Sequence, residues 1–412
     1  MKGLSTKILN VPFQKRDPHG AVHIPVYDSA SFEFETAEEI NNAFEGKIDR
    51  HTYSRISNPT VGYFEKRVQA ATGGQSTLAL SSGMAAISNT VLTVAGAGDN
   101  VICSKYVFGN TYSLFKNTLS RLNITAKFVD PQNYDEIYSA IDEKTRMIFM
   151  ESITNPQLIV PDFHKISDIA KDKNILFVAD TTATPPGIFE AKRFGVDVEI
   201  ISSTKLISGG GTSVGGVIVD YGTYNWEKNP YLKDDFKKFG KFSFIRRLRG
   251  EVYRNLGACL SPHNAYLQNL GLETLHLRIK HACENALALA RYLSEKSVVK
   301  NVRYPGLETS ESFEVAQRMF PVNKGAILTF ELPDKDACFK FMNSFKIIRC
   351  STNIHDNRTL IIHPSSTIFC EFTPEEKLKL GITDTMLRLA AGIEDVEDLI
   401  NDIKSALNLL EE

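Results

Sequence analysis

Four apolar segments of the sequence each end in polar residues that could do chemistry. Polar and charged groups are costly at the ends of buried strands unless a partner or a function satisfies them. The groups are Ser81, Ser82 and Gly83 in LALSSGM; Glu151 and Asn155 in IFMESITNP; Asp180 in LFVADTT; and Ser202, Thr204 and Lys205 in EIISSTK. Because open parallel sheets bind ligands outside the carboxyl ends of their strands, we expect these groups to meet in one crevice.

Each group has an ordinary explanation when it is considered by itself. Ser82 could be a helix N-cap, Asp180 could be a turn residue, and Lys205 could extend along a strand end into solvent. Together they supply what pyridoxal phosphate (PLP) requires: an anion site at a helix N-terminus, a carboxylate for the ring nitrogen, an amide, and a lysine amine able to form a Schiff base. The combination predicts PLP as the cofactor.

Other cofactor sites fit the sequence less well. A nicotinamide site is disfavoured because no GxGxxG motif opens the first helix of the predicted sheet. The glycine-rich run SGGGTSVGG (208–216) follows the lysine, which is the wrong order for a P-loop. A dehydrogenase is therefore a distant alternative.

The elements that must position these residues alternate between apolar strands and amphipathic helices. This pattern is typical of a mostly parallel sheet covered by helices on both faces. The predicted strands are STLALSS (76–82), NVICS, ITAKFVD, RMIFMES (146–152), NILFVAD (174–180), VEIISS (198–203) and GGVIVD (215–220). The fold class is thus a doubly wound α/β domain with seven strands.

Three regions are predicted along the chain. Residues 1–60 are interrupted by prolines and are expected to form an irregular arm that needs a surface to lie on. Residues 61–258 form the cofactor-binding domain. Residues 259–412 form a smaller C-terminal α/β domain, entered through one long helix over 264–296, with strands near 326–332 and 360–366.

Composition excludes several classes of partner. The 412 residues carry 47 Lys and Arg against 49 Asp and Glu, a formal net charge of −2 without a long basic block, so neither nucleic acid nor an anionic membrane is an expected partner. The six cysteines form no CxxC pair and no cluster with histidine, which predicts reduced thiols and no metal site. With no secretory h-region at the N-terminus, a cytoplasmic location is expected.

The sequence resembles the Cys/Met metabolism family of PLP-dependent enzymes, which has the aspartate-aminotransferase-like fold of fold type I. The resemblance covers nearly the whole chain in the family's order. Its motifs are YSRISNPT (53–60), SSGMAAI (81–87), ESITNPQ (151–157), DTTATP (180–185), SSTK (202–205), SPHNAYLQNLGLETLHLR (261–278), YPGL (304–307) and LRLAAGIED (387–395).

The resemblance implies a role for each motif residue around the cofactor. Lys205 would carry the aldehyde and act as the base, and Asp180 would pair with the pyridinium nitrogen. The phosphate would be bound by the amides of Gly83 and Met84. The remaining implied cofactor contacts are Ser202 and Thr204 at the phosphate, Asn155 near the ring hydroxyl, Glu151 on the same face, and Phe108 stacked on the ring.

Substrate and subunit contacts are implied in the same way. Arg388 would bind the substrate α-carboxylate with its planar fork, and Asn353 would lie on the substrate side. Tyr53 and Arg55 would reach the phosphate in a neighbouring subunit. The arm would then lie on another protomer, and the resemblance implies a homotetramer built from two active dimers.

Within the family, the chain looks most like the O-acetylhomoserine sulfhydrylases. The implied reaction joins sulfide or a small thiol to the homoserine carbon skeleton with loss of acetate, and gives homocysteine. The alternative is γ-elimination from methionine or cystathionine. Asn110 argues against it, because the γ-lyases of the family usually have a cysteine at this position. A third alternative is a PLP-binding protein with little turnover.

Departures from the family pattern are expected to lie on or near the substrate side. Phe108 replaces a tyrosine, Gly210 replaces a histidine, and His355 replaces a glycine. Ile368 and Phe369 stand where a hydroxyl and an imidazole are usual. His355 is expected either to replace a missing proton donor or to be a loop histidine with local hydrogen bonds.

Overall fold

The structure is a computed structural model that describes residues 3–13 and 17–411. Two β-sheets organise the chain, one of seven strands and one of five. The predicted architecture, a seven-stranded and mostly parallel sheet followed by a smaller C-terminal α/β domain, is confirmed. The proposed division at residues 60 and 258 stays a prediction.

The large sheet has the order β1-β7-β6-β5-β4-β2-β3. Only β7 runs antiparallel, between β1 and β6. Most of its strands are almost completely buried, as their continuous apolar runs require when helices cover both faces. The strands are β1 (Ser76–Leu80), β2 (Asn100–Ser104), β3 (Thr125–Val129), β4 (Thr145–Glu151), β5 (Leu176–Asp180), β6 (Val198–Ile201) and β7 (Gly216–Asp220).

The small sheet has the order β10-β11-β12-β9-β8 and is antiparallel except between β10 and β11. It packs in its own apolar core with the two longest C-terminal helices, α12 and α16 below. Its strands are β8 (Lys300–Arg303), β9 (Ile327–Glu331), β10 (Arg349–Cys350), β11 (Leu360–Ile362) and β12 (Met386–Ala390).

Sixteen α-helices lie within the described residues. They are α1 (Leu4–Leu9), α2 (Ala37–Phe44), α3 (Pro59–Thr72), α4 (Gly83–Val94), α5 (Gly109–Ser113), α6 (Tyr134–Ala140), α7 (Phe163–Lys173), α8 (Lys233–Phe239), α9 (Ser243–Arg247), α10 (Arg254–Leu256), α11 (Pro262–Glu273), α12 (Leu275–Ser294), α13 (Phe313–Met319), α14 (Lys335–Asn343), α15 (Pro374–Lys379) and α16 (Val396–Glu411). None of these described helices is long and apolar enough to cross a membrane.

Two predictions about these elements are wrong in detail. The single helix expected over 264–296 is divided at Thr274, whose φ of −106° and ψ of 5° leave the helical region, into α11 and α12. The arm is not wholly irregular, because α1 buries Ile8 against the large domain and α2 forms on the arm itself. No residue of α2 is buried, so the arm's own surface is largely exposed.

Candidate active site

A cavity of about 340 Å³ lies at the carboxyl ends of the large sheet, facing the small domain. The four polar groups predicted from the strand ends meet there. The lining residues are Ser82, Gly83, Met84, Ile87, Phe108, Thr111, Glu151, Ile153, Asn155, Asp180, Thr182, Ala183, Ser202, Thr204, Lys205, Val214, Thr352, Ile354 and Arg388.

The first part of the cavity is the N-terminus of α4. Ser82 caps this helix, since its Oγ accepts a hydrogen bond from the Ala85 amide at 3.0 Å. Gly83 packs against β6 so closely that a Cβ added there would lie 2.8 Å from Ser202 Cβ. The first amides of a helix have no partner within the helix, so this end of the cavity suits an anion.

Two hydroxyl groups border the same anion site but differ in their bonding. The Ser202 hydroxyl makes no hydrogen bond with the described residues, while its backbone N–H donates to Thr182 Oγ1 at 2.8 Å. Thr204 Oγ1 donates to the Gly215 carbonyl at 3.1 Å and accepts from the Gly215 amide at 3.0 Å. Ser202 is therefore free to bind a phosphate, whereas Thr204 is already engaged.

Two carboxylates form an acidic pair at the ends of β4 and β5. Glu151 and Asp180 are register partners on these strands. Glu151 Oε1 accepts the Phe108 amide at 2.7 Å, and Asp180 Oδ1 accepts the Thr182 amide at 2.9 Å. Burial raises the pKa of both carboxyls, and the charge of Asp180 raises that of Glu151 further.

The surroundings of the acidic pair show whether the cavity could hold PLP. Neither carboxylate forms an ion pair within the described part of the chain, and Asp180 faces the cavity. A buried carboxylate of this kind needs a cation to stay ionised. The protonated ring nitrogen of PLP is such a cation, so the acidic pair fits this cofactor.

Lys205 follows β6 and lies between the acidic pair and the small domain. Its Nζ donates a hydrogen bond to Asn353 Oδ1 at 2.6 Å. Burial, followed by the charge of Arg388, lowers the pKa of Lys205 to about 8. The neutral amine, which both Schiff-base formation and proton abstraction require, is thus easier to reach near neutral pH than for an ordinary lysine.

Arg388 lies in the middle of β12 and is buried. Its Nη1 donates to Asn155 Oδ1 at 3.2 Å, and its Nη2 donates to the carbonyl oxygens of Thr352 and Asn353 at 3.1 Å each. Its Nε has no partner within the described residues, and burial lowers the pKa of the guanidinium to about 9. A buried guanidinium without a carboxylate suits an anionic ligand group.

Tyr53 and Arg55 lie outside the cavity of their own protomer. Both side chains are exposed, and Arg55 Nη1 donates to the Arg254 carbonyl at 2.7 Å. The Arg55 guanidinium also lies 5.4 Å from the centre of the Tyr53 ring. Their expected role at a neighbouring subunit stays a prediction.

Only part of the departures from the family pattern lies at the cavity. Phe108 lines it, whereas Gly210, Ile368 and Phe369 do not. Phe369 is buried instead in an apolar cluster with Phe372. For these three positions, the expectation that they lie on or near the substrate side stays a prediction.

His355 is buried behind the cavity. Its backbone is left-handed, with a φ of 55°, and neither ring nitrogen has a hydrogen-bond partner among the described residues. Burial, assisted by the charges of Lys205 and Arg388, lowers the pKa of the imidazole to about 3. The ring is therefore held neutral, although the backbone of Thr182 favours the charged form. The choice between a proton donor and a locally hydrogen-bonded loop histidine stays a prediction.

Several lining residues were not predicted from the sequence. Most are apolar and come from helices and loops: Ile87, Ile153, Ala183, Val214 and Ile354. Thr182 supplies two polar contacts, since it bonds both Asp180 and Ser202. A threonine two residues after a strand-end aspartate is the arrangement of an Asx turn, and this signal could have identified Thr182.

Comparison with known proteins agrees with these features. A family model described as Cys/Met metabolism PLP-dependent enzyme matches residues 5–408. The homocysteine synthase of Schizosaccharomyces pombe is 36% identical over 403 residues, which cover 94% of this chain and 94% of that protein.

Two solved structures extend the comparison to three dimensions. An O-acetylhomoserine sulfhydrylase of the methionine biosynthetic pathway of Wolinella succinogenes is 48% identical, with a TM-score of 0.79, over 85% of this chain and 97% of that one. A Campylobacter jejuni protein provisionally assigned as O-acetylhomoserine (thiol)-lyase is 31% identical, with a TM-score of 0.93, over 99% and 100%. The latter carries N'-pyridoxyl-lysine-5'-monophosphate at its own position 205.

Proposed function

Because this chain belongs to the Cys/Met metabolism family of PLP-dependent enzymes, we propose that it catalyses the γ-replacement of O-acetyl-L-homoserine. Sulfide would replace the acetate group at Cγ, and the products would be L-homocysteine and acetate. A small thiol in place of sulfide would give the corresponding S-substituted homocysteine and acetate. The fold is that of fold type I PLP enzymes. The observation that carries the proposal is the meeting of Lys205, Asp180 and Arg388 in one cavity.

We assign the cofactor contacts to the large-domain wall of the cavity. When bound, PLP withdraws electrons from the carbon skeleton of the amino acid and so allows its Cα and Cβ protons to leave. Asp180 would keep the ring nitrogen protonated. The contacts assigned to the rest of the cofactor are the amides of Gly83 and Met84 and the Ser202 hydroxyl at the phosphate, Phe108 against the ring, and Asn155 and Glu151 at its edge. The Thr204 hydroxyl would join the phosphate contacts only by giving up its hydrogen bond to the Gly215 carbonyl.

Lys205 is assigned the proton transfers. With a pKa of about 8, its Nζ accepts the proton from the substrate Cα and then serves Cβ, which opens the way for the group at Cγ to leave. Asn353 would hold the free amine, since Nζ already donates to its Oδ1 at 2.6 Å.

Arg388 is assigned the substrate α-carboxylate. Its guanidinium is fixed by Asn155 and two backbone carbonyl groups, and no carboxylate of the described chain neutralises it. A fixed, planar donor pair binds a carboxylate with two parallel hydrogen bonds. The amino acid would thus be oriented with its side chain toward the apolar part of the cavity.

The cavity lining favours an uncharged acyl group. Lys205 and Arg388 are the only cationic residues among the described lining residues, and both already have assigned roles. A succinyl or phosphoryl ester would bring a further negative charge without a cation in this protomer to receive it. Acetyl is therefore the preferred leaving group.

We also propose that the active form is a homotetramer in the cytoplasm. The exposed arm with Tyr53 and Arg55 supports contact between protomers. All six cysteines are unpaired, which supports a reducing compartment. Sedimentation of the PLP-loaded protein would give the number of protomers.

The decisive test incubates the PLP-loaded protein with O-acetylhomoserine and sulfide. We expect homocysteine and acetate in equal amounts, with O-succinylhomoserine and O-phosphohomoserine giving much slower turnover. Lys205→Ala is the matched control and should lose both the reaction and the visible absorbance of covalently held PLP. Formation of 2-oxobutyrate from methionine without homocysteine synthesis would instead identify a γ-elimination enzyme, and a PLP-bound protein inert toward every ester would reject turnover.

A further inference from the structure

Arg278, near the start of α12, is a buried cation with an unusual set of partners. Nη1 donates to the carbonyl oxygen of Leu206 at 2.6 Å, and Nη2 donates to the carbonyl oxygens of Gly271 at 2.5 Å and Ile207 at 3.4 Å. Its Nε donates to Thr274 Oγ1 at 3.2 Å. Among the described residues it makes no ion pair, and burial lowers its pKa to about 10.

Two of these acceptors directly follow Lys205 in the chain. The segment after Lys205 turns once, with the Gly209 amide donating to the Lys205 carbonyl at 2.8 Å and the Ser208 amide donating to the Ser203 carbonyl at 2.9 Å. The carbonyl groups at the end of such a turn have no partner within it. Arg278 supplies the donors, and so it ties the backbone behind Lys205 to the junction of α11 and α12.

Two glycines make this contact possible. Gly209 has a φ of 74°, and a Cβ there would lie 2.5 Å from Arg278 Cζ. A Cβ on Gly271 of α11 would overlap the Ile207 carbonyl oxygen. Both positions thus exclude a side chain so that the guanidinium and the lysine segment can meet.

We propose that Arg278 is a positioning residue, which holds the backbone of Lys205 so that Nζ reaches the reacting atoms. The inference rests on the proposed role of Lys205 and adds a residue 73 positions further along the chain. Loss of the guanidinium frees the carbonyl groups of Leu206 and Ile207, and the amine then samples more positions. Arg388 and the substrate carboxylate site are untouched, so kcat falls while KM stays nearly constant.

The test compares Arg278→Ala and Arg278→Lys with wild type as PLP-loaded proteins. We expect a loss of about tenfold to a hundredfold in kcat for Arg278→Ala, with KM changed less than about twofold and a weaker affinity for PLP in equilibrium dialysis. Guanidinium ion added at millimolar concentration is expected to restore part of kcat in Arg278→Ala. Arg278→Lys should keep an intermediate kcat, because one ammonium cannot serve all the acceptors.

A second pair of variants keeps the test decisive if Arg278→Ala fails to fold. Gly209→Ala places a methyl group against the guanidinium, whereas Gly73→Ala has the same left-handed backbone, with a φ of 71°, and open space around it. Both substitutions strain the left-handed backbone, but only Gly209→Ala should lower kcat and PLP affinity. Equal kcat for the two variants, or unchanged kcat and PLP affinity in a folded Arg278→Ala protein, would overturn the inference. Lys205→Ala tests the proposed function separately. If Lys205→Ala loses activity and Gly209→Ala does not, only the role of Arg278 is rejected.

Discussion

The two walls of the cavity present ionisable groups of opposite kinds. The large-sheet wall presents Glu151 and Asp180 without a cation, and burial raises the pKa of both. The small-domain wall presents Arg388 without a carboxylate, and burial lowers its pKa to about 9. Each wall therefore keeps a buried group whose counter-charge is absent from the described chain.

This difference explains how the cavity orients its ligands. By the proposed assignment, a cationic ring nitrogen would be stabilised at one wall, and an anionic carboxylate would be stabilised at the other. Lys205 lies between them, and both its burial and the charge of Arg388 favour the neutral amine. If the comparison is correct, substitutions on the two walls should affect different kinetic constants.

The largest effect is expected from Asp180→Asn, which removes the partner of the ring nitrogen. Breaking one side of a buried charge pair costs about 3–5 kcal/mol, so kcat should fall roughly 10²- to 10³-fold with little change in KM. Steady-state kinetics with O-acetylhomoserine measures this. Asp220→Asn is the control, because Asp220 is also a strand-end aspartate but closes the antiparallel β7, at the opposite end of the strands from the cavity. Similar kinetics for the two variants would contradict the assignment.

On the opposite wall, Arg388→Lys keeps the charge but loses the planar fork. Replacing a bidentate contact to a carboxylate costs about 1.5–3 kcal/mol, so KM should rise roughly 10- to 100-fold, more than kcat falls. Arg318→Lys, which alters a half-exposed ion pair with Asp162, is the control. A variant in which kcat falls and KM stays constant would remove Arg388 from the carboxylate site.

His355→Asn should change how stability depends on pH. Burial lowers the folded-state pKa of His355 from 6.5 to about 3. Below pH 6.5 the imidazole is therefore protonated in the unfolded chain but stays neutral in the folded chain. Wild type thus loses about 2 kcal/mol of unfolding free energy between pH 7 and pH 5 from this group, and the variant does not. Asparagine also tolerates the left-handed backbone.

Denaturant titrations at pH 7 and pH 5 compare the unfolding free energies of the two proteins. The same substitution at His281, which is exposed on α12, serves as the control. Parallel loss of stability in wild type and His355→Asn would show that His355 is protonated in the folded state.

The smallest effect is expected from Arg55→Ala, outside both walls. An exposed contact contributes about 0.2–1 kcal/mol, so the dissociation constant of PLP should rise only about two- to fivefold. Equilibrium dialysis at several protein concentrations measures it, with Arg50→Ala on the same arm as the control. Equal PLP affinity in a strictly monomeric wild type would reject a role for Arg55 at a neighbouring subunit.

The large-sheet wall could be predicted from the sequence, whereas most of the small-domain wall could not. Asp180 and Lys205 follow continuous apolar strands, whose ends must meet at one sheet edge. Arg388 and Asn353 were found only through family resemblance, because a short β12 and an irregular loop carry no periodic signal. Thr352 and Ile354 lie in the same irregular loop and were missed. Thr352 acts through its backbone carbonyl, which can accept a hydrogen bond whatever the side chain.

The remaining errors arise from long-range packing. The apolar spacing over 264–296 continues through Thr274, although the chain bends there as Gly271 meets the lysine segment. The packing of Ile368 and Phe369 in an apolar cluster was likewise not predicted from the sequence. The spacing of apolar residues describes one helix or strand at a time and carries no information on the elements that pack against it.

The position of β7 in the sequence also determines how much of the chain must be synthesised before the cavity can form. Gly83 meets Ser202 only across the gap that β7 fills between β1 and β6, and β7 ends at Asp220. During synthesis, the phosphate end of the cavity must therefore wait for about 140 further residues after Gly83, and the carboxylate end waits for β12. Contacts of such long sequence separation form slowly. We therefore expect PLP to bind only after both sheets are complete, and so to stabilise finished chains rather than to guide their assembly.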